Sequence, residues 1–146
     1  MPLPDADHVL RYIGRKHVDA GVVNGSGFMR RPQERTSPSG NWMECFPLPV
    51  EKQVQAISAR RRIKYEKRGL LVRINVGDTR LYLAENAKVE ITLAFLHDPL
   101  LAENGWPEDD SHAVIDGIPI QKTPEAELIQ DLFVDCIINK FEVTPD

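Results

Sequence analysis

The segment Leu70-Leu71-Val72-Arg73-Ile74-Asn75-Val76 decides the fold, because it is the strongest strand candidate in the chain. It is a short apolar run that follows Gly69, and such a run after a breaker is typical of a buried strand. We expect this strand to supply part of a single hydrophobic core. The side chains predicted to be buried together are Leu71, Ile74, Ile91, Leu93, Leu132 and Phe133.

A helix is predicted immediately before this strand. Pro49 stands where a helix start tolerates proline, and the residues after it repeat at helical spacing. Basic residues near the end of this segment would suit the negative end of a helix dipole. The stripe that defines the helix consists of Val50, Val54, Ile57 and Arg61.

Two further elements are predicted after the strand. Residues 79–87 have the pattern of a short helix, for which Asp78 or Thr79 would be the N-cap. Residues 89–95 alternate between apolar and polar side chains and indicate another strand. The sequence therefore switches between the periodicities of strand and helix throughout its middle third.

The remaining segments are less regular. Residues 1–6 predict a flexible arm, and residues 8–13 suit a strand better than a helix. Residues 14–49 are rich in glycine and proline and predict short strands and turns, ending in a half-buried strand over 41–46. Residues 97–122 form an acidic stretch with several prolines, for which no regular element is predicted.

The C-terminal helix has the clearest start signal in the chain. Thr123-Pro124-Glu125 combines an N-cap, a proline in the first turn and an acidic residue beside it. Its apolar face comprises Leu128, Ile129, Leu132, Phe133, Cys136 and Ile137. We predict an α+β domain spanning 1–146, with a mixed or antiparallel sheet and about three helices, one of them this amphipathic helix.

Composition narrows the class of protein. The chain has 146 residues, enough for one domain that folds without disulfides or metals. No apolar run approaches the ~20 residues of a membrane helix, and the acidic, proline-rich start lacks a signal pattern, so we predict a cytoplasmic protein that binds no membrane. Cys45 and Cys136 are too few for a disulfide scaffold or a zinc site and are interpreted as small buried apolar residues. Neither a metal nor a cofactor is predicted.

Two N-terminal patches carry side chains suited to chemistry. His8 suits proton transfer near neutral pH and Arg11 could grip a phosphate, although residues three apart on a strand point to opposite faces. The turn around Ser26, followed by Arg30 and Arg31, could expose backbone N–H groups to an anion. The alternatives are a surface histidine and arginine in the first patch and a tight hairpin bend in the second.

Two further patches lie later in the chain. The segment 41–46 would place Trp42 and Glu44 on one face of a strand. There the tryptophan could stack on a base and the carboxylate could accept its amino proton. The alternative is a core tryptophan beside a carboxylate at the rim. The Asp109-Asp110-Ser111-His112 loop could supply a general base or share an ion, or be an ordinary acidic loop. His97 and the following Asp98-Pro99 are interpreted only as a strand end.

Charge is distributed unevenly along the chain. The net charge is −4, yet residues 50–80 carry nine basic and three acidic side chains, and residues 81–146 carry three and fourteen. The basic run with interleaved Tyr65 predicts a nucleic-acid patch, although a solvated face is the simpler explanation. The residues of this patch are Arg60, Arg61, Arg62, Lys64, Lys67 and Arg68.

Taken together, these stretches resemble a family of small uncharacterised bacterial proteins. That family has an early His-Val-x-Arg, a Ser-x-Asn-Trp-x-Glu element and a late Ser-His in an acidic, proline-bearing loop. The matching segments here begin at His8, Ser26, Ser39 and Asp110. Pro38 and Gly40 predict a more bent Asn-Trp element than the family pattern. The resemblance implies no activity, but it does imply that the patches converge on one site.

Two classes of function are consistent with the sequence. The first is a domain that handles a nucleotide or RNA, with phosphodiester chemistry by His8, His112 and Glu44 and ligand contacts from the other patch residues. The second is a non-catalytic interaction or accessory module of a bacterial conflict or mobile-element system, whose acidic half docks a protein partner. The ligand contacts of the first hypothesis are Arg11, Ser26, Arg30, Arg31, Asn41, Trp42 and Ser111.

Overall fold

The structure, a computed structural model, describes residues 1–34, 37–119 and 122–146. Within these ranges it is a single compact α+β domain with three α-helices and a six-stranded sheet, as predicted. The strands of the sheet are β1 (His8–Ile13), β4 (Ser39–Trp42), β5 (Leu70–Asn75), β6 (Ala94–His97), β7 (His112–Asp116) and β8 (Asn139–Glu142). The helices are α1 (Val50–Ser58), α2 (Val76–Asn86) and α3 (Pro124–Asp135), and β2 (Val18–Asp19) with β3 (Val22–Val23) forms a separate hairpin.

The strand order places β4 between β1 and β7. The order across the sheet is β6-β7-β4-β1-β5-β8, and every neighbouring pair is antiparallel. Leu10 lies opposite Asn41, and Asn41 lies opposite His112. Residues directly opposite one another point to the same face of a sheet, so these three side chains share one face.

The first face of the sheet is fully packed. Val9 and Ile13 on β1 and Val72 and Ile74 on β5 join a cluster with side chains from α2 and α3. The rings of Phe28 and Phe133 stack in this cluster with centroids 5.1 Å apart. Fully burying one such side chain contributes roughly 1.5–3 kcal/mol. This cluster is larger than the one on the opposite face, so the first face supplies most of the hydrophobic stabilisation.

The second face is covered along only half of its width. Leu10, Tyr12 and Leu71 pack there against Met43 and against Ile57 of α1. Over β4, β7 and β6 no helix of the described residues covers the sheet, and loops enclose a cavity instead. One face of the sheet is therefore fully packed, whereas the other carries a cavity large enough for a ligand.

The predicted core is divided between the two faces. Leu93, Leu132 and Phe133 are buried on the first face with Ile74, whereas Leu71 belongs to the cluster on the second face. Ile91 is only partly buried. Leu71 and Ile74 are three residues apart on one strand, and this spacing places them on opposite faces.

Several element boundaries differ from the predictions. α1 ends at Ser58, before the basic run, and the helix predicted over 79–87 begins at Val76 because the side chain of Asn75 caps it by accepting from the amide of Asp78. The strand predicted over 89–95 begins only at Ala94. The N-cap of α3 is Thr123, as predicted, and its hydroxyl accepts from the amide of Ala126.

The two segments predicted to be irregular contain ordered structure. Residues 1–6 are packed against the domain and are not a flexible N-terminal segment. Leu3 is buried and its amide donates to the carbonyl of Phe95, while the amide of His97 donates to the carbonyl of Met1. The 97–122 stretch contains β7. It also contains a small hairpin, here called the arm (residues 100–109), which turns at Asn104 and Gly105 with positive φ at both, as a two-residue hairpin turn requires.

Among the residues that the structure describes, no helix is both long enough and apolar enough to cross a membrane.

Candidate functional site

The cavity on the second face has a volume of about 810 Å³. The sheet forms its floor, the segment 61–65 forms one wall, and the arm with the preceding turn forms another. Pockets of roughly 300–1,000 Å³ are the size that small ligands and cofactors occupy. The residues that line it include Tyr12, Arg31, Glu34, Ser39, Asn41, Arg61, Arg62, Tyr65, Asp98, Asp109 and His112.

Asn41 lies on the cavity floor with its amide held in one orientation. Its Nδ2 donates to Oδ2 of Asp109 and to Oγ of Ser111, at 2.8 Å each. Ser111 in turn donates its hydroxyl and its backbone amide to Oδ1 of Asp109. A carboxylate only accepts hydrogen bonds, so the Asn41 nitrogen must face Asp109 and the carbonyl oxygen Oδ1 must face away.

Asp109 and Ser111 are almost completely buried behind this amide. Their exposed fractions are 4% and 0%. Ser111 was predicted to contact a ligand, but its hydroxyl is enclosed by protein, so it is a positioning residue for Asn41. Burying a carboxylate is costly unless its oxygens accept hydrogen bonds, and the bonds from Asn41 and Ser111 meet that requirement here.

His112 lies beside Asn41 and is held in one tautomer. Its Nδ1 is 2.8 Å from the backbone oxygen of Asp98, and a carbonyl oxygen can only accept, so Nδ1 carries the proton. The amide of Asp98 donates back to the His112 carbonyl at 2.9 Å. When the ring is neutral, its Nε2 is therefore a hydrogen-bond and proton acceptor.

Asn41 and His112 together present two adjacent acceptors. They are direct cross-strand partners, whose Cβ atoms lie about 4.5–5.5 Å apart in antiparallel sheets. Neither Oδ1 of Asn41 nor Nε2 of His112 bonds to any part of the chain that the structure describes, and neither is a fully buried atom. Asn41 and His112 both line the cavity, so these two acceptors are the ones that a ligand there can meet.

The arginine at the far edge of the cavity is part of an ion-pair network. Arg31 donates its backbone amide to Glu34 at 2.6 Å, and its guanidinium lies 3.2 Å from the same carboxylate. Burial and the neighbouring Arg11 lower the pKa of Arg31 to about 10. Burial alone would raise the pKa of Glu34, but Arg11 and Arg31 outweigh it and hold that pKa at about 2.

Arg11 is the centre of this network and is 1% exposed. All five of its N–H donors are used, by Glu34 and by the backbone oxygens of Gly27, Met29 and Ser39. No donor remains for the phosphate contact predicted for it. Arg11 instead ties the irregular segment after β1 to the sheet, and Arg30 also bonds to the Glu34 carbonyl.

The three arginines of the predicted nucleic-acid patch contact other parts of the protein, whereas its other three residues remain exposed. Arg60 lies over the ring of Phe46, while Arg61 lies over Tyr65 and pairs with Asp146. Arg62 reaches the arm and donates to the carbonyl oxygens of Leu101 and Pro107. The run follows the end of α1 rather than continuing it, so its side chains do not form one helical stripe. Those left exposed are Lys64, Lys67 and Arg68.

His8 and Glu44 form a separate pair. Glu44 accepts from the backbone amide and from Nδ1 of His8, both at 2.7 Å. This bond leaves Nε2 of His8 without a partner in the described ranges. However, neither residue lines the cavity that contains His112, so the two histidines are not brought together there. The strand β4 lies between them, whereas the predicted shared site required the loop of His112 to lie against the His8 strand.

The remaining predicted ligand contacts lie elsewhere. Ser26 bonds to Nδ1 of His17 at 2.8 Å, in a turn whose amides at Gly27 and Met29 donate within the turn itself. Burial and the nearby Lys16 lower the pKa of His17, so this ring stays neutral more readily. Trp42 points to the first face, where its ring meets that of His97 edge-on and its Nε1 donates to Asp7. Trp42 and Glu44 do not share a strand, because β4 ends at Trp42.

Sequence reasoning missed several residues of the cavity. Glu34 was not singled out, although an acidic residue three positions after Arg31 is a recognisable pairing signal. Asp98 was assigned only to a strand end, yet its backbone fixes the tautomer of His112. Tyr12 and Tyr65, stacked at 4.8 Å, come from segments 53 positions apart, and no local pattern could have joined them.

Comparison with known proteins gives no match, whether to family models, to curated proteins or to solved structures.

The alternative in which Asp109, Asp110 and His112 share an ion gains no support from the structure. Across 1–34, 37–119 and 122–146, no three acidic, histidine or cysteine side chains are grouped as metal ligands. The site is therefore interpreted from its own geometry.

Proposed function

We propose that the domain binds a small ligand of nucleotide size in the second-face cavity, through Asn41 and His112. The observation that carries this proposal is the cross-strand pairing of these two residues, each fixed from behind and each with one accessible acceptor. Because fixed polar groups lose little freedom when a ligand binds, such a pair is suited to recognition. His112 is also the group in the cavity suited to accept a proton.

Two arginines that line the cavity favour a ligand with an anionic group. Arg61 pairs with Asp146 and Arg62 with Glu103, and both carboxylates are partly exposed. Solvent-exposed ion pairs contribute only ~0–1 kcal/mol, so a phosphate can replace either carboxylate as the arginine's partner. Proton transfer is assigned to His112 alone, since His8 is not among the lining residues.

The test is a calorimetric titration of the protein with AMP, GMP, CMP and UMP. We expect at least one to bind, with affinity reduced roughly fivefold in Asn41→Ala and His112→Ala, because each change removes a hydrogen bond worth about 1 kcal/mol. Asn139→Ala and His17→Ala are matched controls outside the cavity, and both should bind as the wild type does. Absence of binding by all four nucleotides would contradict the proposal.

A fifth variant addresses the original shared-site hypothesis. His8→Ala should leave the affinity unchanged, because its dyad with Glu44 lies outside the cavity lining. If His8→Ala instead weakens binding as much as His112→Ala, the two histidines serve one ligand and the cavity alone is not the site.

A non-catalytic interaction role is the second candidate, favoured by two exposed apolar side chains on the arm. Leu101 is 82% exposed and Trp106 is 47% exposed. Under this alternative, Leu101→Ser and Trp106→Ser would abolish binding to a protein partner. Under the cavity proposal, both changes leave nucleotide affinity intact because neither side chain lines the cavity.

A further inference from the structure

Resting on the proposed function, we infer that the ligand carries two N–H donors side by side, as in an N–C–N fragment whose nitrogens both bear hydrogen. Guanine has this fragment at N1 and its 2-amino group, and a guanidinium group has it as well.

The side-chain amide of Asn41 is fixed with its nitrogen towards the protein. Both hydrogens of Nδ2 are engaged by Asp109 and Ser111, so rotating the amide by half a turn would bring its oxygen against a carboxylate. Asp109 cannot relieve that repulsion by moving, because it is buried and also accepts two bonds from Ser111. Towards the cavity, Asn41 therefore presents an acceptor and no donor.

The ring of His112 is fixed with Nδ1 towards the Asp98 carbonyl. The Asp98 carbonyl takes the proton of Nδ1, so the neutral ring offers only the lone pair of Nε2 to the cavity. Asp98 is positioned by the hydrogen bond that its backbone amide donates to the carbonyl of His112, and one of its carboxylate oxygens lies 3.3 Å from Nδ1. Rotation of the ring would lose these contacts.

A ligand at this pair must match two hydrogen-bond acceptors. Two neighbouring acceptors leave a ligand carbonyl or ring nitrogen unpaired, and an unpaired polar group in a site strongly disfavours binding. A single amino group next to a ring nitrogen, as in adenine, satisfies one acceptor and opposes the other. Two adjacent N–H groups satisfy both, so they are the fragment selected by this pair.

The experiment compares ligands on the unmodified protein, which avoids any question of folding. GMP should bind at least about tenfold more tightly than IMP, which keeps N1–H but lacks the 2-amino group, and more tightly than AMP. Agmatine distinguishes the second source of the fragment, a free guanidinium group. Tighter binding of agmatine than of GMP would assign the site to guanidinium compounds and would still support the two-donor rule.

Equal or tighter binding of IMP or AMP would overturn the inference and leave the proposed function standing, provided that His112→Ala weakens it. Failure of every nucleotide to bind while agmatine binds would overturn the proposed nucleotide ligand and keep the rule. In His112→Ala, the preference for GMP over IMP should shrink to less than about threefold, because one of the two acceptors is gone. A preference that persists unchanged in this variant would show that the discrimination arises elsewhere in the protein.

Discussion

The two faces of the sheet use the same strands for different purposes. On the first face, β1 and β5 contribute apolar side chains to a cluster closed by α2 and α3. On the second, the same strands pack against α1, but β4 and β7 turn an amide and an imidazole towards a cavity. The difference teaches that stability is concentrated on one side of the sheet, so the other side is free to hold polar groups that packing alone would not favour.

The largest effect is expected where a buried charge network joins β1 to the irregular segment after it. Arg11→Met should lower the free energy of unfolding by roughly 3–5 kcal/mol, because it leaves Glu34 buried without its main partner. Chemical denaturation measures this loss. Arg80→Met is the control, because Arg80 forms an exposed pair with Asp5 and its loss should cost ~0–1 kcal/mol. Similar losses in both variants would show that burial of the network is not what stabilises it.

The next effect tests the packing of the first face. Leu132→Ala should cost roughly 2–5 kcal/mol, since the side chain is buried in the cluster between α3 and the sheet. The same denaturation assay applies. A loss in the free energy of unfolding below about 0.5 kcal/mol would indicate that α3 is peripheral and that the first face is not the stabilising one.

A smaller effect depends on pH and comes from Glu34. Its pKa is lowered from the ordinary 4.5 to about 2 in the folded protein, so its contribution is complete above pH 4.5 and is lost as pH falls towards 2. Thermal melts between pH 6 and pH 2 should show a steeper decline for wild type than for Glu34→Gln. Parallel curves for the two proteins would mean that other carboxylates account for the acid sensitivity.

The smallest effect is expected on the second face. His112→Ala should change the free energy of unfolding by less than about 1 kcal/mol, because the side chain borders open space and forms one hydrogen bond to a backbone oxygen. A loss comparable to that of Leu132→Ala would mean that His112 is part of the core and that the contrast between the faces is overstated.

These contrasts also explain which features the sequence could predict. The class of fold, the strand at Leu70–Asn75 and the cap of α3 depend on local spacing and on short-range capping, and all three were predicted correctly. β7 and β8 were missed because 97–122 contains prolines and acidic residues, and because a short edge strand such as Asn139–Glu142 is mainly exposed. Their existence depends on pairing with strands far away in the chain.

The candidate site shows the same division. Asn41 and His112 were singled out because their residue types suit chemistry, but only the register of β4 against β7 makes them neighbours. Arg11 was singled out for the same reason and proved to be buried, since the acceptors that enclose it come from a loop with no local signal of that role. Residue type alone therefore could not separate a binding arginine from a structural one.

Gly40 brings β4 close to β1, because a Cβ there would come within 2.8 Å of the Leu10 carbonyl oxygen. The short strand that it permits joins segments from positions 10, 41 and 112, so the floor of the cavity closes loops of about 30 and 70 residues. Contacts of such long range form late during folding, after local helices and hairpins. A ligand held by Asn41 and His112 would consequently act on the folded chain by delaying its opening, and would do little to hasten its folding.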